Sequence, residues 1–452
     1  MKKRKVLIVL VFTILCSINL WGCSKGQNNK LENKSEAKDA KIKSLKMLSN
    51  DAMQNGCSTE SGYYTISSSE DEEGNTVQNL MYVDYKAKKQ IYLCDKSECN
   101  HNIDRCTSYI ETKYFGRQNS LICDGKYLYL ISSEYNDDGS ISTSISYGGE
   151  GLTPISEPTS IYRMNLDGSN RILLSEFESG ELLGEKILTD GEYIYCISMK
   201  NTQVKIDDNT NYTKGDEYKL IKISNESGEK QDITEWDSSW NILGCYKDKI
   251  IINKLEFDHE LTVEEKMDQA KYTQACKNAK ESIVSYDINT QKFEKLFENE
   301  MSDSYQYIMH EKNVFYYKYN GNKIMSFDLD TKQKSDFLET NNSNIEQIYD
   351  GYMITSDWKE NNKEYYRIRI EDKEISKLSL YKDNGRLVNI IAESENDFFV
   401  ESNCKNKDEY VEWAGINQTI ETDREYAMIP KEDYFNNKNN FKKVNMIIDE
   451  IY

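Results

Sequence analysis

The sequence predicts an all-β fold, a seven-bladed β-propeller, and three observations lead to it. A hydrophobic strand, often preceded by Asp-Gly or a similar turn, occurs seven times, and a second strand of alternating character follows each copy. The closest second strands, ending at Asp287, Asp328 and Arg369, are 41 residues apart, and a four-stranded blade needs ~40–45 residues. The alternatives are a six-bladed ring, in which one weak copy is miscounted, and a pair of β-sandwiches.

Both strands of the repeat have a physical reason to form. Period-2 alternation places one face of each strand in a core, and Asp-Gly and Asn- or Asp-rich dipeptides supply the turns between antiparallel strands. The first strands begin near Gly62, Asp124, Asp190, Asp248, Lys312, Asp350 and Asn396. The second strands align at Asp84, Asn165, Ser224, Asp287, Asp328, Arg369 and Pro430. Closing seven blades into a ring removes the exposed sheet edges that so many strands would otherwise leave.

Ahead of the repeats, residues 1–22 have the layout of an export signal. A basic start at residues 2–5 precedes an apolar run from Val6 to Leu15, and the segment closes on Leu20-Trp-Gly-Cys23. A transmembrane anchor is the alternative, but the apolar run has about 10 residues and a bilayer-spanning helix needs about 20. We therefore expect residues 1–22 to be a signal peptide.

Two resemblances add to this interpretation. Leu20-Trp-Gly-Cys23 resembles the lipobox of bacterial lipoproteins, which implies that Cys23 is diacylated and holds the mature protein on the cell membrane, facing outside the cytoplasm. Ile161-Tyr-Arg-Met-Asn-Leu-Asp-Gly resembles the strand-and-turn unit of the propellers in low-density-lipoprotein-receptor-type proteins. Over about residues 60–452 the chain resembles propeller lipoproteins of low-GC Gram-positive bacteria. These resemblances imply a fold and an address rather than an activity.

The chain divides into three predicted segments: a signal peptide (1–22), a lipidated flexible tether (23–58) and the β-propeller (59–452). Ser24 to about Ala40 is rich in Lys, Asn, Glu, Gln and Ser and has little to bury. The more apolar stretch from Ala40 to Leu48 is predicted to be a short helix or an edge strand.

Two insertions interrupt the repeats. Residues 135–158 are rich in Ser, Gly and Asp and are predicted to form a long loop of blade two. Thr262-Val-Glu-Glu265 is typical of a capping box, and it predicts a helix of about four turns over residues 262–282 of blade four. A solvated decoration and a docking element are both open for this helix.

The charge of the chain excludes one class of partner. Its 57 Lys and Arg and 77 Asp and Glu give a formal net charge of −20, and removing the four basic residues of segment 1–22 moves it to −24. Nucleic-acid binding needs a Lys- and Arg-rich surface, so we expect no nucleic-acid partner. Attachment to an anionic membrane would then depend on the lipid rather than on a basic patch.

Three thiols and one of only three histidines lie within 13 residues, at Cys94, Cys99, His101 and Cys106. Thiolates with an imidazole suit a tetrahedral zinc site, although this spacing is not the common zinc-knuckle spacing. A similar segment in the lipoproteins named above implies a shared structural role. Since four protein ligands leave no open position, a metal here would be structural and would close the connection from blade one to blade two. A disulfide between Cys99 and Cys106 or between Cys94 and Cys106 is the alternative for an exported protein, and unpaired thiols are the third.

No catalytic residue is assigned. The sequence has no H-E-x-x-H, no G-x-S-x-G and no phosphate-binding glycine loop. The predicted function is a binding module for an extracytoplasmic glycan, peptide or envelope protein, with its ligand at the axial mouth or on the insertions. The alternatives are a carbohydrate-active enzyme that uses carboxylates in the loops and a structural accessory of an envelope transport complex. Aromatic residues with two facing carboxylates would indicate the enzyme, and an aromatic patch without such a pair would indicate binding.

Overall fold

The computed structural model describes residues 44–49, 56–70, 76–103, 105–110, 117–134, 158–178, 181–184, 186–205, 211–262, 265, 268–301, 304–319, 321–340, 344–359, 362–411 and 416–447. The predicted signal peptide, Cys23, most of the predicted tether and nearly all of the blade-two loop lie outside these residues. Among the described residues, no helix has the length and apolar character that a bilayer span requires.

The described strands form seven antiparallel sheets, each built around four consecutive strands. An additional strand, β1 (Lys46–Ser49), precedes them. Blade one contains β2 (Gly56–Ser58), β3 (Gly62–Glu70), β4 (Thr76–Asp84), β5 (Lys89–Tyr92) and β6 (Tyr109–Ile110), which pairs with β4. Blade two contains β7 (Arg117–Cys123), β8 (Tyr127–Glu134), β9 (Ser160–Asn165) and β10 (Ile172–Glu176). Blade three contains β11 (Glu181–Leu183), β12 (Ile187–Thr189), β13 (Tyr193–Lys205), β14 (Asn211–Ser224) and β15 (Lys230–Trp236).

The other four blades follow the same up-and-down order, with no strand exchanged between blades. Blade four contains β16 (Trp240–Tyr246), β17 (Lys249–Glu256), helix α1 (Gln269–Asn278), β18 (Lys280–Asp287) and β19 (Lys292–Glu300). Blade five contains β20 (Tyr305–His310), β21 (Asn313–Lys318), β22 (Lys323–Asp328) and β23 (Gln333–Glu339). Blade six contains β24 (Asn344–Tyr349), β25 (Tyr352–Lys359), β26 (Asn362–Arg369) and β27 (Ile375–Leu378). Blade seven contains β28 (Asn389–Glu393), β29 (Asp397–Val411), β30 (Ile416–Pro430), helix α2 (Lys431–Phe435) and β31 (Lys442–Val444).

The predicted seven-bladed propeller is confirmed. In the four-strand core of each blade, which in blade three is β12 to β15, each predicted first strand is the second strand and each predicted second strand is the third. The six-bladed alternative is wrong, because the three weaker copies, which align at Ser224, Arg369 and Pro430, each form the third strand of a blade core.

The hydrophobic core is divided among the seven boundaries between neighbouring blades. Leu80 of blade one packs with Leu128 of blade two in one cluster, and Phe399 of blade seven packs with Val83 of blade one in another. Both faces of a blade are therefore buried, because each blade lies between two others. No blade has a complete core of its own, so the ring has to close for any blade to bury both faces.

The two faces of the propeller differ in what they carry. Short turns join the first and second strands of a blade on one face, which we call the turn face. In two of these turns Asp124 and Asp190 accept hydrogen bonds from the amides of Tyr127 and Tyr193, at 2.7 and 2.8 Å. The opposite face, the hairpin face, carries the connections between second and third strands and between successive blades. The strands on either side of both predicted insertions end on this face, and the long strands of blades three and seven extend toward it.

β1 lies at the inner edge of blade three, paired antiparallel with β12, and contacts β7 and β16 of the neighbouring blades. Lys46 pairs with Thr189, and the amide of Leu45 donates to the carbonyl of Lys247 in a turn of blade four, at 2.7 Å. The chain therefore enters the ring from the turn face. The predicted domain boundary at residue 59 falls just after β2, so both β1 and β2 come from the segment predicted as tether.

The ring closes between blades seven and one through the C-terminal residues. Asn445 forms a parallel bridge with Lys89 at the outer strand of blade one. Its carbonyl accepts from the Gln90 amide at 2.8 Å, and its amide donates to the Lys88 carbonyl at 2.9 Å. The last blade is thus held to the first by backbone hydrogen bonds as well as by core packing.

The helix predicted in blade four is present but shorter than expected. Thr262 and Glu265 exchange the hydrogen bonds of a capping box, at 3.3 and 2.9 Å. The helix that follows, α1, begins after Asp268, whose carboxylate accepts from two amides of the first turn, and it ends at Asn278. Residues 280–282, predicted as helix, begin β18 instead, because they continue the pairing of that strand with β17. None of the ten residues of α1 is buried.

Candidate metal centre and ligand cleft

The four predicted metal ligands lie in the connection between β5 and β6 of blade one. Their donor atoms, on Cys94, Cys99, His101 and Cys106, all lie within 4.8 Å of one another. A tight turn contributes to this, because the Cys106 amide donates to the Ile103 carbonyl at 2.9 Å. The structure therefore brings together the complete set that the sequence singled out.

The imidazole of His101 is fixed by its surroundings. His101 adopts a left-handed backbone conformation, with φ of 58°, which is uncommon for a residue with a side chain. Asn79 holds this turn by donating to the His101 carbonyl at 2.8 Å. The ring stacks on Tyr92, with centroids 4.0 Å apart and planes 11° apart, and its Nδ1 lies 3.4 Å from the Cys106 Sγ.

Burial governs the protonation of the cluster. It raises the pKa of Cys106 to about 12, and it lowers the pKa of His101. Burial also opposes ionisation of Cys94, but hydrogen bonds from the Lys96 backbone and from the thiols of Cys106 and Cys99 hold its pKa below the usual value. Neutral imidazole is the form that binds zinc, and a bound divalent cation offsets the cost of burying thiolates.

The donor set fits a tetrahedral zinc ion. Three sulfurs and one nitrogen are ligands that zinc prefers, and a tetrahedron with Zn–S bonds of about 2.3 Å has edges of about 3.8 Å, within the spread observed. The nine cysteines that the structure describes are all free: Cys57, Cys94, Cys99, Cys106, Cys123, Cys196, Cys245, Cys276 and Cys404. Neither of the alternative disulfides is formed.

The segment beyond the cluster fastens blade one to blade two. Arg171, just before β10, donates to the carbonyls of Thr107 and Tyr109, both at 2.8 Å. Gly168, in the turn between the third and fourth strands of blade two, approaches so closely that a Cβ there would lie 3.0 Å from the Thr107 carbonyl oxygen. A metal that orders residues 94–106 would therefore order this junction too.

A second site, which the sequence did not reveal, lies on the hairpin face between blades six and seven. It is a cleft of about 860 Å³, which we call the six–seven cleft. Its lining residues are Trp358, Lys363, Glu364, Tyr365, Lys377, Tyr381, Lys382, Gly385, Arg386, Leu387, Asn389, Glu401 and Glu421. They come from six strands, β25 to β30, and from the connection between the blades, so no local motif could have indicated the cleft. The only sequence signal is an aromatic residue in polar surroundings, Trp358 between Asp357 and Lys359.

Each of the three carboxylates that line this cleft contacts a basic side chain. Glu364 lies 2.6 Å from the Lys377 Nζ, Glu401 lies 2.7 Å from Lys382, and Glu421 lies 2.8 Å from Arg386. Lys377 is also the first cause of the low pKa of Glu364, about 2. Glycoside hydrolysis needs one carboxylic acid that keeps its proton near neutral pH, and Glu364 cannot supply it.

The predicted ligand position at the axial mouth has a different character. On the turn face, the mouth contains a cavity of about 760 Å³ that is lined partly by Lys46, Met47 and Leu48 of β1. None of the described lining residues of that cavity is aromatic. The aromatic surface lies instead on the hairpin face.

Comparisons with known proteins establish no function for this chain. No family model matches the chain, and no curated protein does. Similar solved structures include an acylaminoacyl peptidase of Pyrococcus horikoshii (11% identity, TM-score 0.49, 89% of this chain and 53% of that chain). Another is a puromycin-hydrolysing peptidase of Mycobacterium tuberculosis (7%, 0.47, 89% and 54%), and a third is an oligogalacturonate lyase in complex with manganese (11%, 0.41, 74% and 78%). The chain spans about half the length of these peptidases, and likeness at such low identity does not transfer an activity.

Proposed function

We propose that this protein is a binding module that holds its ligand on the hairpin face, in the six–seven cleft. The observation that carries the proposal is the combination of exposed aromatic rings with carboxylates that are all paired to basic groups. Ligand sites of this size usually combine apolar surface with a few fixed polar groups, and the cleft volume falls within their range of about 300–1,000 Å³. Paired carboxylates can bind and orient a ligand but are poorly suited to acid–base catalysis.

We also propose that the module works outside the cytoplasm, as a lipoprotein held on the cell membrane through Cys23. The sequence of residues 1–23 supports this proposal, and the ligand would then be a glycan, a peptide or an envelope protein. Metabolic labelling with a fatty acid tests it. We expect label on the wild-type protein and none on Cys23→Ala, and label that survives this substitution would contradict the proposal.

We propose further that Cys94, Cys99, His101 and Cys106 hold a structural zinc ion. The convergence of the four donor atoms and the fixed orientation of the imidazole support this assignment. The ion would neutralise buried thiolates and stabilise the connection between blades one and two. Mass spectrometry tests it: we expect a metal-sized mass in the native protein that is lost on denaturation. A persistent deficit of two protons would indicate a disulfide instead.

The binding function is tested with immobilised protein and envelope material separated into polysaccharide and protein fractions. We expect the wild-type protein to retain material from one fraction and the double variant Trp358→Ala, Tyr381→Ala to lose it. A variant in which a short Gly-Ser linker replaces α1 is the matched control, because α1 lies on the same face and has no buried residue. Retention that depends on α1 and not on the cleft would refute the proposal.

A further inference from the structure

The rim of the six–seven cleft presents two flat aromatic surfaces to solvent. Trp358, near the end of β25, is 65% exposed, and Tyr381, in the connection to blade seven, is 40% exposed. Neither ring contacts another ring among the described residues, whereas the neighbouring Tyr352 stacks on Phe435, with centroids 4.1 Å apart. An indole that is exposed to this extent offers a flat apolar surface that a ligand can cover.

The floor of the cleft is a buried ion pair. The side chains of Lys382 and Glu401 are only 5% and 9% exposed, and Nζ lies 2.7 Å from the carboxylate. Burying two charged groups costs more free energy than burying an apolar pair of the same volume. A buried ion pair therefore contributes little to the stability of the fold. Both residues line the cleft. Because each charged group holds the other in place, the ammonium group and the carboxylate are fixed polar groups that a ligand can contact.

The amide of Asn384 holds Glu421, one of the lining carboxylates, in place. Its Nδ2 donates to the Cys404 sulfur at 2.9 Å and to the Glu421 carboxylate at 3.0 Å, while Arg386 contacts the same carboxylate at 2.8 Å. Donors and acceptors are thus held in fixed positions before any ligand arrives, which lowers the entropic cost of binding.

The charges of the cleft favour an uncharged ligand. The pairs Lys377–Glu364, Lys382–Glu401 and Arg386–Glu421 leave no carboxylate of the lining without a basic partner. A fourth basic residue, Lys363, contacts Glu346 at 2.8 Å. Neither an anionic nor a cationic ligand would meet an uncompensated opposite charge, so neither gains the desolvated charge pair that gives ionic ligands their affinity.

We infer that the six–seven cleft binds uncharged sugar residues of a glycan, an inference that rests on the proposed binding function. The apolar face of a sugar ring would cover Trp358 or Tyr381, as flat aromatic rings combine large contact area with little conformational entropy. The hydroxyl groups, which both donate and accept, match a lining that offers basic donors and carboxylate acceptors side by side. A peptide ligand is more often held by a sheet edge or by pockets for apolar side chains.

Affinity electrophoresis of the purified protein in gels that contain a neutral polysaccharide tests this inference. The panel contains glucan, mannan and galactan, with polygalacturonate as the anionic comparison. We expect at least one neutral polymer to retard the wild-type protein, and the corresponding oligosaccharide to compete. Trp358→Ala or Tyr381→Ala should weaken the retardation about tenfold. Tyr410→Ala is the matched control, since Tyr410 is 59% exposed on the long hairpin of blade seven and does not line the cleft.

The double variant Lys382→Met, Glu401→Leu separates binding from folding, because it removes both charges together. We expect it to unfold at nearly the wild-type temperature and to lose the retardation. The sugar inference fails if no neutral polymer retards the protein, if only polygalacturonate does, or if Trp358→Ala leaves the retardation unchanged. Cleft-dependent retention of an envelope protein without any glycan binding would refute the sugar inference while leaving the binding function intact. If no retained material depends on the cleft, both are wrong.

Discussion

Two boundaries between blades have the same arrangement of strands but different roles. The boundary between blades one and two is closed, and the boundary between blades six and seven is open. Where blades one and two meet, Arg171 spans the boundary and the Cys and His cluster lies beside it. Where blades six and seven meet, the connecting segment from Tyr381 to Leu387 lines the space between the blades without filling it, and this space is the six–seven cleft. Each boundary has an apolar cluster of eleven buried residues. The core alone therefore does not determine whether a boundary is closed or open. The comparison teaches that the connections between blades decide whether a boundary is closed or able to bind a ligand.

Removing the proposed metal should have the largest effect and should act on the closed boundary alone. We expect Cys94→Ser with Cys106→Ser to destabilise the protein by more than about 5 kcal/mol, because a structural metal contributes its binding free energy to folding. Thermal unfolding with and without a chelator measures this. Cys276→Ser, in the exposed helix α1, is the control and should change little. If Cys276→Ser lowered the unfolding temperature as much as the double variant does, the metal would not explain the stability of the closed boundary.

At the open boundary, the largest loss of stability should come from removing one partner of the Lys382–Glu401 ion pair. Lys382→Met leaves the Glu401 carboxylate buried without its partner, and we expect a loss of about 3–5 kcal/mol. Chemical denaturation of this variant beside the double variant Lys382→Met, Glu401→Leu gives the comparison. A single variant as stable as the double one would show that the carboxylate is solvated, and the floor would then not be preorganised.

Arg171→Ala should have a smaller effect on the closed boundary. It removes the donors to the carbonyls of Thr107 and Tyr109, and each hydrogen bond from a charged donor contributes about 1.5–3 kcal/mol. The expected loss is about 2–4 kcal/mol, part of which solvation of the two carbonyls recovers. Lys126→Ala, at an exposed turn of the same blade, should be neutral. If Arg171→Ala also lowers the metal affinity, the metal cluster and the Arg171 contacts are energetically coupled.

A third boundary, between blades four and five, should respond to pH with the smallest effect. Burial raises the pKa of Glu281, whose carboxylate accepts from the Tyr307 hydroxyl at 2.9 Å. A raised folded-state pKa contributes stability below the unfolded value, about 4.3, and this contribution is lost as the pH rises through the folded value. Glu281→Gln should therefore unfold at a higher temperature than the wild type at pH 7.5, and the difference should shrink toward pH 4.

Glu298→Gln is the control of opposite sign. Contacts with Lys295 and Lys280 lower the pKa of Glu298 to about 2, so its small contribution is present at neutral pH and is lost only in acid. A Glu281→Gln variant that follows the same pH trend as Glu298→Gln would contradict the assignment of Glu281 as a buried acid.

The sequence was informative wherever partners are close along the chain. The second and third strands of every blade are joined by a single connection, so the repeat predicted all seven pairs even where its alternation is weak. The metal ligands lie within 13 residues, so their convergence was also predictable. The edge strand offered as one alternative for residues 40–48 is present as β1 (Lys46–Ser49). Its position in blade three could not be predicted, because Lys46 pairs with Thr189, far along the chain. The same holds for the six–seven cleft, in which Trp358 and Glu421 meet only after two blades have packed.

The route by which the chain joins the ring bears on how the molecule meets its surroundings. Ser44, the first described residue, is exposed, and Leu45 is already bonded at the turn face. The six–seven cleft lies on the opposite, hairpin face. A long polymer bound there would therefore not have to pass the residues through which β1 enters the ring.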